Sequence, residues 1–388
     1  MRTTRWKLLA ATLLAGVILS GCTSGGDDAG GEETDASSVT GETETAAETA
    51  SEEESASEED TAAAAEGGGT LAEVTERGTL NCGVNGQLDG FSLNEGGTYT
   101  GFDVDFCRAI AAALFDDPEA VTYTDLTAET RFTALQSGEV DVLIRNGTWT
   151  ASRDGDLGLQ WTQTTFYDGQ GMLVRADSEF QSLADMTDTT ICVQSGTTTE
   201  LNLTARMAEL GVTYEPLLLP DEEQVASSFQ SQACDGYTTD RSGLASFRSS
   251  YAEGPDSLRI LDDVMSKEPL GPAVREGDQE WFDVVNWVVF ATIQAEEFGL
   301  DSTNIATAAE DNPDNAEILR FVGAPGEEDS DFTSGLSLEP DFAVRVVGGV
   351  GNYAEIYERN ITPLGLERGL NNLWNADEPG VLYAPPYR

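Results

Sequence analysis

The chain has 388 residues, with 70 Asp and Glu against 20 Lys and Arg, no histidine, and a formal net charge of −50. That balance argues against a nucleic-acid partner, which needs clustered basic residues. It also removes histidine from acid–base work and from metal ligation. So large a charge favours solubility while straining the compact state by self-repulsion, a strain that a saline medium would screen.

The first 22 residues read as an export signal. Arg2, Arg5 and Lys7 form a charged start, and residues 8–19 are apolar but too few to span a membrane. The run Leu19-Ser20-Gly21-Cys22 resembles a bacterial lipobox, which implies that Cys22 is lipidated and becomes the mature N-terminus. A plain signal peptide that happens to hold a cysteine is the alternative. Residues 23–69 carry 15 acids, no Lys or Arg, and otherwise almost only Ala, Gly, Ser and Thr. Too little apolar surface is present to offset the entropy of ordering, so this segment reads as a disordered tether.

From residue 70 onward strand-like and helix-like stretches alternate. Residues 80–84 predict a strand and 102–115 a helix, with Asp103 and Asp105 as its N-terminal caps. A strand over 121–123, a helix over 129–136 and a strand over 140–146 complete a βαβαβ lobe. The pattern restarts with strands over 172–175 and 191–193, a helix over 201–210, and a strand over 214–219. A helix over 222–230, a strand over 236–239 and a helix over 241–248 follow. Residues 267–275 are extended, but Pro269, Gly271 and Pro272 argue against a central strand. Helices over 281–298 and 341–359 close the chain. Trp281, Val284, Val285, Val288 and Ile293 mark the buried stripe of the former.

Three strand ends carry the chemistry. In an open α/β sheet ligands bind beyond the carboxyl ends of the strands. The first end delivers Asn146, Thr148, Thr150 and Arg153, and an arginine fork matches a carboxylate at any working pH. Thr197, Thr198 and Thr199 sit at a helix start, where free N–H groups and the dipole favour an anion. The third end supplies a carboxylate, Asp240. An acid, an arginine and a helix terminus together complement a zwitterion. Asn85, Leu88, Phe91 and Trp149 are placed to wall the pocket. An exposed surface loop is the plain alternative for any one of these strand ends taken alone.

The residues from about 70 to the end resemble the amino-acid-binding proteins of ABC transporters, in particular the family 3 solute-binding proteins of the general L-amino-acid branch. The likeness rests on Gly101-Phe-Asp-Val-Asp-Phe-Cys-Arg108, Phe132-Thr-Ala-Leu-Gln-Ser-Gly-Glu-Val-Asp141 and Tyr167-Asp-Gly-Gln-Gly171. Val193-Gln-Ser-Gly-Thr-Thr-Thr-Glu200, Lys267-Glu-Pro-Leu-Gly-Pro-Ala-Val-Arg275 and Tyr383-Ala-Pro-Pro-Tyr387 add to it. The resemblance implies a type II periplasmic binding protein fold, two α/β lobes each with a doubly wound sheet, joined by a two-segment hinge. Residues 70–170 and 274–388 would form lobe 1 and 171–273 lobe 2, with crossings near 169–174 and 266–273. By the same likeness Arg153 would bind a ligand carboxylate, Asp240 an ammonium, and Thr148 and Thr198 would complete the carboxylate cradle.

The expected function is therefore a monomeric, non-enzymatic protein, exported and lipid-anchored, that captures L-amino acids and hands them to the permease subunits of an ABC transporter. No cofactor or metal is expected, since histidine is absent and no Cys-x-x-Cys pair occurs. An exported enzyme of the same fold, such as a cyclohexadienyl dehydratase or a peptidoglycan lyase, is the competing reading, and an amino-acid sensor subunit is a third. Besides Cys22 four cysteines remain, which allow three pairings. Cys82–Cys107 with Cys192–Cys234 is preferred, because both bridges then stay within a lobe and leave the hinge unrestrained.

Overall fold

Leu80–Val84 places Leu80, Cys82 and Val84 on one buried face, and it becomes an inner strand of a five-stranded sheet. The order is Val121–Asp125, Leu80–Val84, Val142–Leu143, Ala273–Arg275, Leu159–Trp161. The first three run parallel, and Ala273–Arg275 is antiparallel to both neighbours. The computed structural model describes residues 69–324, 333 and 335–387. Cys22, the export signal and almost all of the expected tether lie outside them.

A second five-stranded sheet repeats the plan. Its order is Tyr214–Leu219, Thr189–Gln194, Gly236–Asp240, Gln170–Arg175, Leu258–Ile260. Again the first three strands are parallel and the fourth is antiparallel to both neighbours. Each sheet is buried on both faces, as parallel sheets require. Met172, Val174, Ile191 and Val193 pack on one face of the second sheet, while the intervening Leu173 and Cys192 pack on the other with Phe229 and Tyr237. The period of two separates these cores. In the first sheet Leu80, Cys82 and Val84 face a large core built with helices Phe102–Phe115, Gln279–Glu297 and Phe342–Val350. Trp281, Val284, Val285, Val288 and Ile293 are all fully buried there, the stripe the sequence predicts.

Two strands connect the sheets. Phe166–Asp168 leads into the second sheet and Glu268–Leu270 leads out, paired antiparallel as a ribbon with Glu268 opposite Asp168. Tyr167 is held at both polar backbone groups by Asn371: its N–H donates to the Asn371 side chain at 2.7 Å and its carbonyl accepts at 3.1 Å. The next residue, Asp168, accepts instead from the Ser242 N–H at 3.1 Å.

Cys82 is bridged to Cys107 and Cys192 to Cys234, with Cα separations of 6.2 and 5.7 Å, the pairing preferred from sequence. The bridges close chain segments of 25 and 42 residues, worth about 3–4 kcal/mol each in the chain-entropy account.

Several expectations need correction. Asp103 and Asp105 do not cap helix Phe102–Phe115, because the Phe102 and Asp103 N–H groups donate to the Gly90 and Phe91 carbonyls, both at 2.9 Å. Gly101 makes this approach possible: its φ is 131°, and a Cβ there would collide with the Phe91 carbonyl. Asp105 is paired with Arg359 at 2.7 Å and with Asn360 at 2.6 Å. Residues 341–359 form two helices, Phe342–Val350 and Tyr353–Asn360, not one. Gly351, at φ 91°, breaks the run, and Asn352 starts the second helix with a capping box to Glu355. Ala273–Arg275 is an inner strand after all, since the prolines end one residue before it. Helix Thr70–Arg77 and a small sheet of Gln87–Leu88, Ser92–Glu95 and Thr98–Thr100 were not foreseen.

Candidate functional site

The carboxyl ends of two parallel strands of the first sheet and three of the second converge on one polar cavity. From the first sheet it is lined by Arg131, Arg145, Asn146, Thr148 and Arg153. From the second come Gln194, Thr197, Thr198 and Thr199, with Glu222, Thr239 and Asp240.

Arg153 lies on the short helix Ala151–Asp156, where its own N–H donates to the capping Thr150 hydroxyl at 3.2 Å. Its buried guanidinium donates to the Thr148 carbonyl at 2.8 Å, which fixes the fork at the cavity wall. Arg145 follows strand Val142–Leu143 and donates from Nε to the Leu126 carbonyl at 2.7 Å. Arg131 opens helix Arg131–Ser137 and is buried, and its Nε has no hydrogen-bond partner among the described residues. The Phe132 ring lies beneath two of these cations, 4.7 Å from Arg131 and 5.2 Å from Arg153. Burial pulls the pKa of all three arginines down. For Arg131 the neighbouring Arg145 and Arg153 charges push further the same way, and Asp240 opposes them. Three buried cations with donors to spare make a seat for an anion.

Asp240 closes strand Gly236–Asp240 and occupies the N-cap position of helix Arg241–Ser249, yet its side chain makes no capping bond. The carboxylate points instead to the cavity. Burial raises its pKa well above the ordinary range, and Asp168, Glu268 and Glu222 add to the rise. Asp168 is pushed up to about 6, mainly by burial, although hydrogen bonds from Ser242 and Gly169 pull it down. Glu268 accepts from Asn202 at 2.8 Å and from the Thr198 hydroxyl at 3.3 Å. So many carboxylates crowded in low dielectric favour a cation among them.

Thr197 caps helix Thr198–Leu210, accepting from the Glu200 N–H at 3.4 Å. The first-turn amides of Thr198 and Thr199 have no intrahelical partners and open on the cavity. The Thr148 and Thr198 hydroxyls stand 3.5 Å apart across the cleft. Asn146 adopts φ 36°, a left-handed conformation that asparagine tolerates better than most residues. Its N–H donates to Asp103 at 2.9 Å, and burial lifts that carboxyl to about 7.

Arg153, Asp240, Thr148, Thr198, Asn146 and Thr197 thus meet at one cavity. Phe91 does not. Its ring is fully buried in the core against Phe102 and Phe166, with centroids at 5.9 and 5.3 Å, because the Gly90–Gly101 approach turns it inward. Trp149 is not a wall either: it is 42% exposed, with its N–H held by the Pro269 carbonyl at 2.9 Å. Arg131, Arg145, Glu222, Gln194 and Thr239 were missed. A usable signal existed for Arg145, which follows an apolar strand in a chain where basic residues are scarce.

Residues 80–299 match the model of the bacterial extracellular solute-binding proteins, family 3. The chain belongs to this family. Among its relatives, the general L-amino acid-binding periplasmic protein AapJ of Rhizobium johnstonii is 48% identical over 323 residues, covering 82% of this chain and 93% of that one. The glutamate/glutamine/aspartate/asparagine-binding protein BztA of Rhodobacter capsulatus is 46% identical, with 84% and 95% covered. A solved periplasmic binding protein from Brucella ovis, with glutathione bound, is 44% identical with a TM-score of 0.79, covering 83% of this chain and all of that one. The two-lobed α/β architecture of this family-3 protein agrees with that structure. Among the described residues no helix is long and apolar enough to cross a membrane.

Proposed function

We propose that this protein is the amino-acid-binding component of an ABC transporter, closing two lobes around an L-amino acid and presenting it to membrane permease subunits. The observation that carries the reading is that Arg153, on the short helix Ala151–Asp156, and an uncommitted Asp240, at the end of a strand of the second sheet, line one cavity. A ligand carboxylate would take the Arg153 fork and the Thr198 and Thr199 amides, and the ligand ammonium would take Asp240. A ligand with both charges bridges the lobes, and that differential affinity is what shifts an open–closed equilibrium toward closure. The names of the relatives support an amino-acid ligand. The glutathione held by the Brucella ovis protein, a tripeptide with a free α-amino-acid end, fits the same chemistry.

The bodies that move would be residues 70–170 with 274–388 and residues 171–273, and the protein would act as a monomer without turning its ligand over. Cys22 would carry a lipid anchor, with residues 23–69 as spacer, so that the exported protein stays on the outer face of the cytoplasmic membrane. Calorimetry with a panel of L-amino acids tests the function, alongside native mass spectrometry for a retained ligand. Saturable binding of several amino acids at one site is expected. Failure of all of them to bind, or conversion of any into product, overturns the reading.

A further inference from the structure

Residues 370–383 fold back on themselves: the Val381 N–H donates to the Leu370 carbonyl and the Trp374 N–H to the Leu382 carbonyl, both at 2.9 Å. Leu370, Trp374, Val381 and Tyr383 are four of the nine large apolar side chains left exposed among the described residues. Gathered on one short segment, they are not the scattered exposure ordinary to a protein surface. Between this segment and the end of helix Gln279–Glu297 opens a cavity of about 180 Å³. Trp374 and Tyr383, with ring centroids 5.8 Å apart and planes at 68°, line it together with Phe298. Gln294, Glu297 and Glu317 supply acceptors. Gln294 is only 5% exposed, yet its side-chain amide has no hydrogen-bond partner among the described residues, where a buried amide ordinarily has one. No lysine or arginine lines the cavity, and none among the described residues pairs with Glu297 or Glu317. Arg320 donates instead to the Tyr387 carbonyl at 3.3 Å. The cavity shares no residue with that of Arg153 and Asp240. All its lining but Gln294, Glu297 and Phe298 lies beyond the matched residues 80–299.

We propose that this cavity is a docking socket for an arginine side chain of a partner protein. Its volume is below the roughly 300 Å³ at which ligand pockets begin, so it holds the end of one side chain and not a whole metabolite. A guanidinium suits such a lining, being flat, always charged, able to stack on rings and rich in donors. Gln294, Glu297 and Glu317 would take its N–H groups, and Leu370 and Val381 would meet apolar residues beside it. Arginine held in this way is a common anchor of protein interfaces. Asp377 and Glu378, exposed on the loop between Trp374 and Val381, extend the acidic rim. The complementary face is therefore basic, whereas an anionic lipid surface would be repelled.

The test uses the full chain carrying Cys22→Ser and follows the Trp374 indole N–H by nuclear magnetic resonance, assigned by its loss in Trp374→Phe. The probe is the tripeptide Leu-Arg-Leu, acetylated and amidated. It has neither an α-ammonium nor an α-carboxylate, so the result stands whether or not the cleft binds amino acids. A saturable shift is expected, at about tenfold better affinity than for the same peptide with citrulline, which has the shape without the charge. Glu317→Gln should weaken the arginine peptide by about threefold, the order of an exposed ion pair. Gln294→Leu should weaken it by about tenfold, with thermal unfolding as the check on folding. Absence of a saturable shift, equal affinity for the citrulline peptide, or no loss in either variant overturns the socket. Butylguanidinium binding as tightly as the peptide would make this a small-cation pocket. Attachment to phosphatidylcholine vesicles that is lost in Trp374→Ser would assign the patch to lipid. Either result overturns protein docking.

Discussion

Asp168 and Glu268 stand directly opposite each other in the ribbon that joins the two sheets, and both carboxylates add to the rise in the pKa of Asp240. Three acids are thus gathered where the lobes meet, with no lysine or arginine of the second lobe lining the cavity beside them.

Binding should therefore be linked to protons. In the empty site burial and its neighbours keep Asp240 protonated above the usual carboxylate range, and Asp168 up to about 6. An ammonium ligand favours the charged form of Asp240, so binding releases protons, and affinity should fall as pH drops through the raised range in which Asp240 takes up its proton. For the ligand-free fold the sign is opposite. A raised native pKa means that the native state holds more protons than the unfolded one between about pH 4 and 6, so this contribution to stability declines as pH rises through that window. Calorimetry near pH 6 in two buffers of different ionisation enthalpy checks the first part; identical heats would show that Asp240 is already charged when empty. Comparing thermal unfolding of wild type and Asp168→Asn against pH checks the second.

Arg153→Ala should weaken every amino acid alike by about 2–5 kcal/mol, the usual result of truncating one side of a buried charge pair. Arg131→Met should split stability from function. It removes a buried cation whose Nε has no partner among the described residues, so the ligand-free protein should unfold at a higher temperature, while ligand affinity drops. A loss confined to one side-chain class would remove Arg153 from its role. An Arg131 variant that is destabilised would show that the guanidinium is better satisfied than its geometry indicates.

Asp240→Asn keeps size and an acceptor but loses the charge. Charge-assisted hydrogen bonds are worth about 1.5–3 kcal/mol against roughly 0.5–1.5 for neutral ones. Amino acids should therefore lose affinity, whereas deaminated analogues, poor ligands to begin with, should lose much less. Equal losses for both would defeat the ammonium assignment. The same variant separates binding from catalysis, since a general base would be needed for turnover and not for affinity.

Non-reducing peptide mapping should return the pairs Cys82–Cys107 and Cys192–Cys234. Each lies within one lobe, so reduction should lower the unfolding temperature without altering which amino acids bind. A bridge between an early and a late cysteine would contradict free movement of the lobes.

Cys22→Ser should yield a protein that binds ligand normally and partitions to the aqueous phase of a detergent separation, where wild type follows the detergent. One acyl chain alone anchors weakly, so the strength of retention also reports how many chains are attached. Identical partitioning of the two would sink the anchor.

The architecture and the main poles of the site were readable because they follow from strand ends. Arg153, the threonines at 197–199 and Asp240 each close or follow an apolar run with a polar turn, which is how a parallel sheet presents residues to its edge. Arg131 and Arg145 escaped because a charged residue on an otherwise apolar segment reads as surface. The charges that face them are distant in sequence: Asp240 acts on Arg131, and Glu222, Asp103 and Asp240 act on Arg145. Phe91 was misplaced for a related reason: its loop position is local, but the direction of its ring is set by Phe102 and Phe166. The break at Gly351 was written in the chain, as a glycine followed by Asn352 and Glu355, inside the span expected as one helix.

The helix that begins at Arg241 takes its first-turn partner from outside itself. Asp240 sits in the capping position without capping, and Asp168 receives the Ser242 N–H in its place. Asp168 is thereby fastened to the second lobe, whereas Tyr167, one residue earlier, is fastened on both sides to Asn371 of the first. If the lobes turn on each other, the peptide joining these two neighbours is where this connection would bend. Asn371→Ala should spread that bend along the strand and speed exchange of the Tyr167 amide with deuterium, and an unaltered exchange rate would place the pivot elsewhere. On that reading the acid that takes the Ser242 N–H and leaves Asp240 uncapped would also be the first residue past the fulcrum, so that loading and leverage would share one carboxylate.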